Sequence, residues 1–116
     1  MDYMNDNVRR LLAELTREIE KLYHGKLRQI ILFGSYARDQ QEDGSDLDIM
    51  VLVDESRDIM RLNHQKIAAL MASMQLKYGV LPSVIDINYD FFNQQKAFVP
   101  FYGAVATEGK VLYGAC

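Results

Sequence analysis

The sequence predicts an α/β (α+β) protein, a small mixed sheet with helices packed mainly on one face, and three observations carry that prediction. Apolar residues recur at helical spacing near the start and again in the middle of the chain. Short apolar runs of strand length, bounded by Gly, Pro and Asp, stand between them. The order alternates helix, two strands, helix, strand, which suits a layer of helices over a sheet. At 116 residues, 49 % of them apolar, residues 1–116 read as one domain long enough to bury a core. No internal repeat, low-complexity tract or linker interrupts it.

Each element has its own signal. Val8, Leu11, Leu12, Leu15, Ile19 and Leu22 form one stripe of an opening amphipathic helix that should end at His24-Gly25. Gln29 to Phe33 is an apolar strand stopped by Gly34, where a tight turn and then a short helix are expected. A second strand runs from Asp46 to Val53, with Asp46, Asp48 and Met50 on one face and Leu47, Ile49 and Val51 on the other. Asp54-Glu55-Ser56 offers caps for a long helix reaching about Tyr78, with Ile59, Leu62, Leu70, Met71 and Met74 among its apolar positions and Gly79 as its C-cap. Pro82 and Ser83 lead into a strand carrying Asp86. Asp90 reads as the N-cap of a third helix extending to Phe98, Pro100 breaks it, and Phe101 to Tyr113 gives a last helix ending near Glu108-Gly109 and a short extended tail.

Charge and composition narrow the function. The net charge is −3 with no basic run, so direct nucleic-acid binding is not expected, since that affinity rests on Lys and Arg neutralising phosphates. No apolar run is long enough to span a bilayer, and Met1-Asp2-Tyr3-Met4-Asn5-Asp6 lacks the charged and apolar regions of a signal peptide. The single Cys116 cannot make an internal disulfide, and these features together lead us to expect a cytoplasmic protein.

The most informative stretch is residues 34–48, GSYARDQQEDGSDLD. Backbone amides after a glycine turn point outward unpaired and suit phosphate oxygens, with Gly34 permitting the turn and Ser35 able to cap it. Asp46 and Asp48 converge on one spot, where two like charges need compensation. A divalent cation supplies it, and Mg²⁺ is typically held by one or two carboxylates together with substrate phosphates. A lone Asp-x-Asp is weak; joined to Gly34-Ser35 at the end of an apolar strand, it points to a nucleoside triphosphate with its metal.

Gly34-Ser35, ten intervening residues and Asp46-Leu47-Asp48 resemble the signature of the minimal nucleotidyltransferases of the DNA polymerase β-like superfamily. The likeness extends over nearly the whole chain, because Glu108-Gly109-Lys110-Val111-Leu112-Tyr113 also looks like the usual end of these domains. The resemblance implies the nucleotidyltransferase fold, a triphosphate held by Gly34 and Ser35, and metal bound by Asp46 and Asp48. It also implies a third carboxylate on a later strand, for which Asp86 is the best candidate. Two Mg²⁺ ions would then serve catalysis, with Asp86 as general base. Family members similar to this chain are antitoxins paired with a HEPN ribonuclease toxin, so the implied reaction moves AMP from ATP onto a tyrosine of that toxin with release of pyrophosphate. A toxin-masking protein without chemistry and a transferase acting on a small-molecule hydroxyl are the alternatives.

Other residues have two readings each. Asp86 is either a metal ligand or a strand carboxylate with a local partner. Arg38 lies near enough to Ser35 to approach phosphate charge or to be a surface arginine, and Ser45 either contacts phosphate or supports its loop. Glu42 and Asp43 face water in a polar spacer, and His24 and His64 lack metal-ligand spacing. Phe91, Phe92, Phe98, Phe101 and Tyr102 are either partner surface or core.

Overall fold

The computed structural model describes residues 5–114, so the expectations resting on Met1–Met4 and on Cys116 lie outside the described residues. The elements run α1 (Asp6–Leu22), β1 (Leu27–Phe33), β2 (Leu47–Val53), α2 (Arg57–Tyr78), β3 (Pro82–Asn88), α3 (Tyr89–Gln95), α4 (Pro100–Glu108) and β4 (Lys110–Tyr113). They build a mixed four-stranded sheet of order β3-β2-β1-β4. β1 is antiparallel to both β2 and β4, whereas β2 and β3 are parallel. A parallel pair needs a crossover, and α2 supplies it.

The long helices form as their sequences dictate. Asn5 caps α1, its side chain accepting from the Val8 amide, and the helix buries Val8, Leu11, Leu12, Leu15 and Ile19. Ser56 caps α2 through the Ile59 amide, and Gly79 ends it in the left-handed region at φ 74°. The buried stripe of α2 is Met60, Ile67 and Met74, so Ile59 (41 % exposed) and Leu62 (74 %) lie outside the core. Both helices cover the sheet face that carries Leu47, Ile49, Val51 and Val53, and there the main core forms. On the other face Ile31, Met50 and Leu52 meet Phe92 of α3 and Val105 of α4.

Three expectations are corrected. Residues 34–39 form a chain of turns in place of a short helix. β2 begins at Leu47, leaving Asp46 just before it. The N-cap of α3 is Asn88, whose side chain accepts from the Phe91 amide, and Asp90 instead sits in the first turn, where a negative charge suits the helix dipole. Pro100 opens α4 at a position where its missing N–H costs nothing.

Ile49 is fully buried at the centre of the main core. Its replacement by Ala should cost about 2–5 kcal/mol, read as a lower urea midpoint at unchanged slope.

Candidate active site

The end of β1 and the start of β2 lie side by side, pairing Phe33 with Asp48. Gly34 follows at φ 75°, and a Cβ there would collide with the Asp48 carboxylate. Glycine is therefore required twice, for the backbone angle and for the space. The Gly34 carbonyl accepts from the amides of Ala37 (3.1 Å) and Arg38 (3.2 Å), and the Ser35 carbonyl accepts from Gln40 (2.8 Å). This closure begins at Ala37 and leaves the amides of Ser35 and Tyr36 outside the turn's own hydrogen bonds. Tyr36 and Ala37 anchor the turn in the main core, while Arg38 points outward.

Asp48 is half-buried and Asp46 exposed. Burial first, and then the charge of Asp46, hold the Asp48 carboxyl above its ordinary range, with Arg38 opposing them. The guanidinium of Arg38 also meets Glu108 Oε1 at 3.5 Å, and its Nε donates to Gln40 Oε1 at 3.1 Å. Ser45 supports its loop: its hydroxyl accepts from the Glu42 amide at 2.9 Å, and its own amide donates to the Glu42 carbonyl at 3.0 Å. Ser45 and Asp46 border a cleft of 440 Å³ that reaches Asn5, Gln75 and Leu81.

Asp86 does not join the pair. β3 runs parallel to β2 with Ser83 opposite Asp48 and Asp86 opposite Val51. Three residues along a strand is ~10 Å, and an odd offset reverses the face. Asp86 accordingly turns toward α1 and α2, where the Tyr23 hydroxyl donates to its Oδ2 at 2.8 Å and His64 Nε2 meets its Oδ1 at 3.1 Å. Burial, reinforced by Asp86, pushes the Tyr23 phenol up. The local-partner reading of Asp86 thus describes its surroundings, and the place beside Asp48 on β3 belongs to Ser83. Among the described residues no three His, Cys, Asp or Glu gather to hold a metal.

The sequence reading missed the contact between Gly34 and Asp48, the Arg38–Glu108 pair and the Tyr23–Asp86–His64 chain. Each joins residues far apart in sequence or depends on strand register, and no local pattern encodes that. His64 is 58 % exposed and its Nε2 lies 3.1 Å from Asp86 Oδ1.

Two carboxylates side by side, one of them half-buried beside a glycine, form a hard-oxygen donor set that fits a divalent cation shared with substrate phosphates. That donor set lies beside the turn that begins at Gly34.

Comparison with known proteins bears on this reading. Residues 13–115 match the family model described as polymerase beta, nucleotidyltransferase. MJ0604 of Methanocaldococcus jannaschii, named as a protein adenylyltransferase, is 34 % identical over 107 residues, covering 92 % of this chain and 99 % of that protein. MJ0141 of the same organism, named likewise, is 36 % identical over 75 residues, covering 65 % and 74 %. The fold also matches a chain of the toxin–antitoxin crystal structure MntA-HpeT, with a TM-score of 0.58 at 22 % identity over 97 % of this chain and 75 % of that one. A toxin–antitoxin crystallised with AMP-PNP gives a TM-score of 0.56 at 23 % identity over 96 % and 75 %.

Two outcomes test the site physically. Gly34→Ala should destabilise the protein by about 1–3 kcal/mol, measured by chemical denaturation, because it meets both the positive φ and the Asp48 carboxylate. Asp48→Asn should raise Tm at pH 7. A carboxyl whose folded pKa is raised costs stability when ionised, so this gain should be largest above that pKa and vanish as pH falls below the ordinary carboxylate value.

Proposed function

The chain belongs to the polymerase beta nucleotidyltransferase family and is a nucleotidyltransferase, and from that premise we propose that it transfers AMP from ATP to a tyrosine hydroxyl of a HEPN-type toxin protein, acting as its antitoxin. The observation that carries the proposal is the lodging of Asp48 against Gly34, which sets the carboxylate pair beside a phosphate-binding turn. Relatives named as protein adenylyltransferases support a protein acceptor. The match to chains of toxin–antitoxin crystal structures supports a toxin as that protein. Residues 1–116 would act as one catalytic domain, with the acceptor brought from outside. A cytoplasmic setting accords with this role, and no helix among the described residues is long and apolar enough to cross a membrane.

In this reading the amides of Ser35 and Tyr36, with the Ser35 hydroxyl, receive the triphosphate, and Gly34 lets it approach the carboxylates without a side chain in the way. Asp46 and Asp48 would hold Mg²⁺, which when bound would supply charge neutralisation for the triphosphate and a lowered pKa for the entering hydroxyl. Arg38 turns its charge toward the phosphates, while Ser45 keeps the loop before Asp46 in place. The tyrosine oxygen attacks the α-phosphorus, the bond from that phosphorus to the bridging oxygen breaks, pyrophosphate departs and the tyrosyl proton passes to solvent. Holding these partners in line supplies much of the acceleration.

The expected role of Asp86 as third ligand and general base is not retained. With Ser83 beside Asp48, this face offers carboxylates for one ion rather than two.

The test combines the protein, ATP, Mg²⁺ and a HEPN-type partner, and follows AMP addition to the partner's tyrosines by mass spectrometry. The double variant Asp46→Asn with Asp48→Asn should lose transfer by about a hundredfold or more while keeping its fold. Asp86→Asn, whose amide oxygen can still accept from Tyr23 and whose NH2 can donate to an unprotonated His64 Nε2, should transfer at close to the wild-type rate. Full labelling by the double variant would remove the catalytic assignment. Full neutralisation of the toxin by that variant without labelling would establish masking by binding, and loss of transfer in a folded Asp86→Asn protein would restore Asp86 to the site.

A further inference from the structure

Beside the carboxylate pair lies a second, smaller cleft of 180 Å³ between the end of β1 and α4. Gly34 is both one of its walls and the residue in contact with the Asp48 carboxylate, so the cleft opens directly from the phosphate turn. Its aromatic side is Phe33 and Phe101, whose rings meet edge to face at 5.5 Å. Phe101 keeps 44 % of its surface open, whereas Val105, one turn on along α4, is buried. Arg38 and Glu108 also line it.

We propose that this cleft holds the base of the nucleotide, stacked on Phe101, and that it takes an amino-bearing base whose exocyclic amine donates to the Glu108 carboxylate. The inference rests on the nucleotide-transfer reading and extends it to base selection. Every base has a face to stack on, so Phe101 gives affinity and Glu108 gives choice. An ionised carboxylate accepts and cannot donate, so it welcomes an exocyclic amine such as that of adenine and repels an exposed carbonyl such as O4 of uracil. Glu108 is paired with Arg38 at 3.5 Å, with both side chains about half exposed. Such an exposed pair is weak. A triphosphate on the Ser35 turn draws Arg38 toward its own charge and leaves Glu108 to the base.

The larger cleft at Ser45 and Asp46 is a poorer host for a base. It is lined mostly by polar groups, and its one aromatic residue, Tyr36, is buried in the core. The cleft at Asp86 and His64 lies at the other end of the strands.

Calorimetric titration of the full chain in Mg²⁺ with ATP, UTP and inorganic tripolyphosphate tests the proposal. Wild type should prefer ATP to UTP. Phe101→Ala should weaken ATP about tenfold and leave tripolyphosphate unchanged, whereas Phe101→Trp should keep ATP affinity. Glu108→Gln should narrow the gap between ATP and UTP. Unchanged ATP affinity in Phe101→Ala, equal loss of ATP and tripolyphosphate, or a loss of ATP in Gln75→Ala that Phe101→Ala lacks would overturn the assignment while leaving nucleotide transfer intact. Failure of wild type to bind either ATP or tripolyphosphate would overturn the nucleotide reading as well.

Discussion

A carboxylate packed against a glycine Cα is the constraint on which this molecule is built. Asp48 occupies the space that any side chain at position 34 would need, and the pairing of Phe33 with Asp48 fixes that closeness through the sheet. Because the first turn residues carry Tyr36 and Ala37 into the main core, the turn cannot swing away from the strand beside it. The turn after Gly34 and the two carboxylates are thus held together by the core. Such advance positioning is what lets oriented dipoles and charges act without reorganising.

The two faces of the sheet divide the work. Leu47, Ile49, Val51 and Val53 face α1 and α2 in a continuous apolar layer, while Asp48 shares the opposite face with Met50 and Leu52. The short helices α3 and α4 cover that second face through Phe92 and Val105 and leave the start of β2 accessible. The larger apolar core therefore lies on one side, and the carboxylate pair at the edge of the other. Holding an ionised, half-buried Asp48 beside Asp46 costs something, and the fully buried residues behind it offset that cost.

Much of this was legible in the sequence. Helical spacing located α1, Ser56 and Gly79 located the ends of α2, and the Gly34-Ser35 turn with Asp46 and Asp48 marked one neighbourhood. All of these signals are local. Asp86 was misplaced because its position depends on the register between parallel strands joined by a 22-residue helix, and a shift of one residue reverses a face. The stretch after Gly34 stayed a set of turns because Ala37 and Arg38 both donate to the Gly34 carbonyl and Asp39 takes a positive φ of 55°. Asp90 lost the capping role to Asn88, a residue of the preceding strand whose side chain was already aimed at the helix start. Among the aromatic residues, Phe92 is buried, whereas Phe98 is 79 % exposed, a split that follows from how α3 and α4 meet the sheet.

β3 ends the sheet, so its outer backbone groups face no neighbouring strand among the described residues. A border of this kind invites a like strand from another molecule, and extended aggregates can grow from it. Pro82 at its beginning has no N–H to offer, and Asp86 places a nearly buried negative charge midway along it, only 10 % exposed. An incoming strand would have to settle beside that charge. Asp86 thereby hinders edge-to-edge pairing along this border.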